Sequence, residues 1–356
     1  TWLDMLKLKG SWGTLGNQNL DKPYPAEPLL SNAYSAVFGT PSAIYPGYQL
    51  SYLPNPNLRW EKVEAWEVGA EANFFRNRLH FEGVYYKKTT KNLLAEVPGI
   101  SGTVPGIGNL GSIENKGVEL ALNWRDQIGD WGYNIGGNLT TIKNKVLSLV
   151  QEGYSIIAGD KSQSYTMAGY PIGYFYGYKV EGIYQTQEEI NSSPKNTLAT
   201  VTPGDLKFVD VNGDGEITKG DETVDNPGDR KIIGNSTPRF HYGITGNISW
   251  KNFDLNIFFQ GIAKRDVWIS DNVFWGGSGT AGNWEMYNNS WTPEHTDAKY
   301  PMYAGRISSI QQTGYLFNGA YLRLKTLALG YTLPREWTNK VKLSTVRLSL
   351  SGYNLF

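Results

Sequence analysis

The chain has 356 residues, no cysteine, and 33 basic against 33 acidic side chains. That balance excludes recognition of nucleic acid through bulk charge, and the missing thiols exclude a disulfide framework. A mean hydropathy of −0.41, with no long apolar run, excludes transmembrane helices but is silent on strands that show only alternate residues to lipid.

In chain order, amphipathic runs of about ten residues are joined alternately by very short and very long connections, the pattern of a transmembrane β-barrel. Residues 5–13 read as a first strand, followed by a long loop to about residue 61. Residues 63–74 turn at Phe75, Arg76 and Asn77 into 78–93. Residues 114–125 descend to a turn at 127–130, and 131–146 rise into the longest excursion, which returns near Arg239. Residues 239–250 turn at Lys251 and Asn252 into 253–262; a further long loop leads to 320–333, and 344–353 closes the series. About nine strands are predicted; bacterial barrels of this type have an even strand number and must close, so the sequence reads as part of a longer polypeptide with strands missing at both ends.

Side chains alternate within these runs as successive strand residues point to opposite faces. Trp66, Val68, Ala70, Ala72 and Phe74 oppose Glu67, Gly69, Glu71 and Asn73, and Val118, Leu120, Leu122 and Trp124 oppose Glu119, Ala121 and Asn123. In 321–331 the phase slips from Leu322 and Leu324 to Leu327 and Leu329, which predicts a bulge near Lys325. A soluble β-sandwich also alternates, but its turns recur every 8–12 residues or so, whereas loops of roughly 50 to 90 residues recur here on one side only. Trp124, Trp131, Trp250, Phe253, Tyr331 and Trp337 flank the short connections, as expected of rings at a headgroup boundary.

One motif points to a metal. Asp210, Asn212 and Asp214 occupy positions 1, 3 and 5 of a 12-residue loop, Gly213 and Gly215 sit among them, Glu216 offers a carbonyl at position 7, and Asp221 closes position 12. This is the EF-hand spacing, and its oxygen set suits structural Ca2+, although Asp at position 12 reaches less far than Glu. The loop 210–221 lies in a predicted extracellular insertion at 185–238. GIGNLG at 106–111 satisfies GxGxxG, but a strand rather than a helix follows, so a phosphate cradle is not expected. His80, His241 and His295 are scattered, and no HExxH or GxSxG occurs, so the chain is not read as an enzyme. The long loops are rich in rings, and Tyr45, Tyr48, Trp275, Trp284 and Trp291 are the candidate substrate-binding residues.

Seven segments in order, LKLKGSWG (6–13), PNPNLRWE (54–61), NLGSIENKGVE (109–119), GYFYGY (173–178), PGD (203–205), IGNSTP (233–238) and YLRLK (321–325), together resemble the SusC/RagA-type TonB-dependent outer-membrane transporters of the Bacteroidetes. The resemblance implies an all-β fold in which residues 1–356 are a portion of a large antiparallel barrel of roughly 22 strands with a plugged lumen. It also implies an outer-membrane location, a SusD-like lipoprotein partner, energy from TonB through regions absent here, and an oligosaccharide or peptide as substrate. A passive porin or adhesin barrel, and a secreted carbohydrate-binding or hydrolase β-domain, are the rival readings.

Overall fold

The computed structural model describes residues 2–17, 20, 24–97, 106–149, 155–158, 164–221, 226–269, 284–303 and 310–356. Its frame is one antiparallel sheet. The wall strands are β1 (Leu3–Asn17), β2 (Glu61–Phe74), β3 (Leu79–Lys91), β4 (Gly111–Ile128), β5 (Trp131–Thr141), β6 (Phe240–Trp250), β7 (Phe253–Ala263), β8 (Tyr321–Thr332) and β9 (Arg347–Tyr353), hydrogen-bonded in sequence order. These are the nine predicted strands.

Register turns the alternation into two continuous faces. Leu8 pairs with Ala70, Ala70 with Gly83 and Gly83 with Leu120, while Leu122 pairs with Phe81 and Gly137, and Ile244 with Gly137 and Phe259. Such residues share the outward face. Leu122 and Ile244, on strands with a neighbour on each side, still leave 51% and 48% of their surface uncovered by protein, which suits a hydrocarbon solvent rather than a core. At the short-turn end the rings form rows. Trp2 stacks on Phe74 at 5.7 Å, Phe74 and Trp124 both meet Phe75, and Trp131, Trp250, Phe253 and Tyr331 follow one another at 4.6–6.2 Å. The first turn carries Phe75, Arg76 and Asn77 all at positive φ, a conformation that lets two long strands reverse across four residues, 75–78.

The slip foreseen near Lys325 is present. Phe258 pairs with Thr326 and Phe259 with Leu324, leaving Lys325 outside the ladder. The run 131–146 differs from its expected single strand: it breaks at Ile142, and the chain continues as Lys143–Leu149, pairing back on β4 from Lys116 to Gly111. The break has a local cause. The Thr141 hydroxyl accepts the Val118 backbone amide at 2.8 Å and the Thr141 carbonyl accepts the Tyr86 hydroxyl at 3.0 Å, so Thr141 bonds outside the regular ladder, which resumes in the same register at Lys143. Gly117 lies against that carbonyl with no room for a Cβ.

Beyond the wall, the long connections build small sheets with cores of their own. Ser155–Ala158, Ser164–Met167, Tyr174–Tyr178 and Arg230–Asn235 form a four-stranded sheet. Tyr178, Leu206, Phe208 and Ile217 make one apolar cluster, joined by Val180 and Ile183, so this unit recruits residues ahead of the 185–238 stretch. Phe175, Trp268, Met286 and Tyr300 make a second. A third element is the hairpin Leu30–Phe38 with Ala43–Leu50.

Candidate functional site

Three features could meet a solute: the inward face of the wall, the rings on the outer loops, and the acidic loop at 210–221. On the inward face, Glu71 and Glu82 lie directly opposite one another across β2 and β3, where two carboxylates would repel. Lys9 of β1 resolves this by reaching both, with Nζ 2.7 Å from each. Further along, the His80 ring meets Asn73 at 2.7 Å, and Asn134 and Asn256 both pair with Asn247, so the surface is hydrogen-bonding and nearly neutral. A face of this kind suits an uncharged polar solute or a protein plug.

The loop rings divide into exposed and buried sets. Trp284, on the short helix Trp284–Asn288, is 77% exposed and meets Tyr287 edge-on at 5.9 Å, and Tyr287 meets Tyr303 in the same way at 6.0 Å. Each pair leaves a ring face free. Tyr45 and Tyr48 are exposed on the hairpin at 30–50, where Tyr45 leans on Phe38 at 6.0 Å. No ring contact joins the hairpin to the Trp284 group among the described residues. Trp291 departs from expectation: it is buried, its indole donates to Gln185 Oε1 at 2.8 Å, and its ring covers Gly204. It packs the loop instead of offering a stacking surface. Trp275 lies outside the described residues.

The acidic loop has the turns that its glycines predict. Asp210 accepts the Gly213 and Gly215 amides at 2.6 and 2.9 Å, Asn212 accepts that of Asp214, and Asp214 accepts that of Glu216. Gly213 and Gly215 both sit at positive φ. Among the described residues no three His, Cys, Asp or Glu side chains converge as a metal cluster, so Asp221 is not drawn in with Asp210 and Asp214. The anchor of this segment is Asp229, which the sequence reading did not single out. It is fully buried, and its two carboxylate oxygens accept Val211 and Thr218 amides at 2.7 Å each, pinning both ends of the loop. Nearby, the Gln185 amide and then Lys207 hold the Glu189 carboxyl below the usual carboxylate range. Burial works against the charge on Lys207, but Glu189 and Glu181 outweigh it and hold the ammonium above its ordinary value.

GIGNLG is explained by packing. Gly106–Asn109 forms a short strand against Leu94–Val97, and Gly106 sits so close to the Leu53 carbonyl that a side chain has no space.

The family profile "TonB dependent receptor-like, beta-barrel" matches residues 1–355. The chain belongs to that family. TonB-dependent receptor P3 of Formosa agariphila is 34% identical over the whole of this chain and 34% of its own length. TonB-dependent receptor SusC of Bacteroides thetaiotaomicron is 25% identical over 94% of this chain and 32% of its own. A solved structure, the RagAB peptide transporter, superposes with a TM-score of 0.77 at 25% identity, covering all of this chain and 37% of that one. The chain thus spans about a third of the length of these relatives. As a TonB-dependent receptor barrel it resides in the outer membrane, and its relatives are receptors and transporters rather than enzymes; barrels of this class keep their short turns on the periplasmic side. The secreted-domain rival is thereby set aside.

Proposed function

We propose that this chain supplies wall and outer loops to an importer that takes up oligosaccharides or peptides in a TonB-dependent manner, together with a SusD-like surface lipoprotein. The observation that carries the reading is the exposed ring group Trp284, Tyr287 and Tyr303, held on folded outer loops above a polar, nearly neutral inward face. Flat rings grip sugar faces and peptide planes without requiring charge. The likeness to SusC and to the RagAB peptide transporter supports it.

Replacing Trp284 and Tyr287 together by alanine in the full-length protein should weaken solute capture about tenfold, since each ring contact contributes roughly 0.5–1.5 kcal/mol. Surface abundance should not change. Uptake of the same solutes in a strain lacking TonB would favour the passive porin instead.

Within this reading, the loop 210–221 takes Ca2+ as a structural ion. Each Asp210 oxygen and Asp214 Oδ1 give one lone pair to an amide and retain another for a cation. Binding would draw in Asp221 and shorten the loop. Calcium is expected to protect residues near Asp214 from protease; identical cleavage in calcium and in chelator would remove the ion from the account.

A further inference from the structure

The upper end of the membrane face carries a groove that neither the family nor the solute path explains. On β4 the outward residues run Trp124, Leu122, Leu120, Val118 and then Lys116, so the apolar band ends in a cation. Lys87 and Lys116 share Glu114, and Lys62 and Lys91 share Glu64, all within 3.0 Å. These cations are matched. One step further round the wall the matching stops. Lys143 pairs across the ladder with Lys116, Lys145 lies opposite Glu114, whose two oxygens Lys87 and Lys116 already take, and Lys264 lies over the Phe240 ring at 5.3 Å. No carboxylate lies within ion-pair distance of Lys143, Lys145 or Lys264 among the described residues. All three line one cavity of about 960 Å³ between the wall and the four-stranded loop sheet.

That cavity joins two chemistries. Tyr85, Phe240 and Ile232 give it apolar walls, and Tyr85 and Phe240 stand on the same face as the lipid-facing Leu120 and Ile244. Lys116, Lys143, Lys145, Arg239 and Lys264 line it against one carboxylate, Asp266, which Arg239 already engages at 3.3 Å. We propose that the groove binds a phosphorylated glycolipid of the outer leaflet, with acyl chains along the apolar wall and phosphate among Lys143, Lys145 and Lys264. Three arguments select this occupant. The groove opens on the membrane face, it begins where the apolar band stops, and its unmatched charge is positive at the depth of anionic headgroups. Its volume is at the upper end of ligand pockets and far exceeds that of a phosphate ion. The proposal needs only the outer-membrane location and not the importer reading.

The test uses full-length protein in detergent, with lipid retention read by native mass spectrometry. Bisphosphorylated lipid A should be retained by the wild type, and the triple variant K143E/K145E/K264E should retain it at least about a hundredfold less, at roughly fivefold per cation near an anionic headgroup. A control carrying K340E and K342E, beyond the opposite rim, should retain it as the wild type does. All three proteins should keep heat-modifiable migration, which reports a folded barrel. Dephosphorylated lipid A should bind poorly, and millimolar inorganic phosphate should fail to displace the lipid. Retention unchanged in the triple variant overturns the proposal. So does displacement by inorganic phosphate, which would make the groove a simple anion site. So, too, does a triple variant that keeps lipid A but loses a co-purifying protein, which would make the groove a protein interface.

Discussion

Arginine at Leu122 should destabilise the barrel by about 1–3 kcal/mol, the cost of a cation in hydrocarbon between the midplane and the Trp124 boundary. Leu122 lies on the outward face of β4 between Phe81 and Gly137, with half its surface uncovered by protein, so a guanidinium there meets lipid and has no carboxylate to pair with. Glu119→Arg, three residues away on the same strand, is the contrast. Glu119 faces inward opposite Thr140, makes no ion pair among the described residues, and its replacement should shift stability by less than about 1 kcal/mol. Urea unfolding of the full-length protein from lipid vesicles measures both. Equal stability of the two variants would contradict the assignment of faces on which the whole fold rests.

The second expected effect is steric. Gly117→Val should cost about 3 kcal/mol, at the upper end of overpacking penalties, because the new side chain would displace the Thr141 carbonyl and the Tyr86 hydroxyl that packs 2.8 Å from the Cβ position. Those two groups bond to each other and organise the break between β5 and Lys143–Leu149. Hydrogen exchange should quicken in residues 111–118 and 143–149 while β6 and β7 stay protected. Thr141→Ala gives a milder comparison, removing only the hydroxyl that accepts the Val118 amide. If Gly117→Val exchanges like the wild type across both segments, the close approach has no consequence.

Much of the wall was legible because its solvents enforce a period of two on every strand, and even the bulge at Lys325 left a phase slip in the leucines. The break at Ile142 left no such mark, since it depends on Thr141 meeting Tyr86 and Val118, residues 55 and 23 positions away. The outer loops were legible in composition and illegible in arrangement. Trp284 and Trp291 look alike in sequence, seven residues apart, yet one is exposed and the other is buried and bonded to Gln185, 106 positions distant. Asp229 was invisible for the same reason: its partners, Val211 and Thr218, are brought to it by folding. The acidic loop announced its turns through its glycines, but not whether Asp221 comes within reach of Asp210.

The height of the outward apolar strip sets which bilayer this wall can occupy. On β2 the strip runs from Trp66 to Phe74, which at about 3.4 Å per residue is roughly 27 Å along the strand and, at a tilt near 40°, about 21 Å along the membrane normal. An average bilayer presents about 30 Å of hydrocarbon, and the bacterial outer membrane is thinner than average. The strip therefore mismatches the thicker membrane through which the polypeptide is exported and fits its destination better. The boundary rows of tryptophan and phenylalanine fix the wall's depth there.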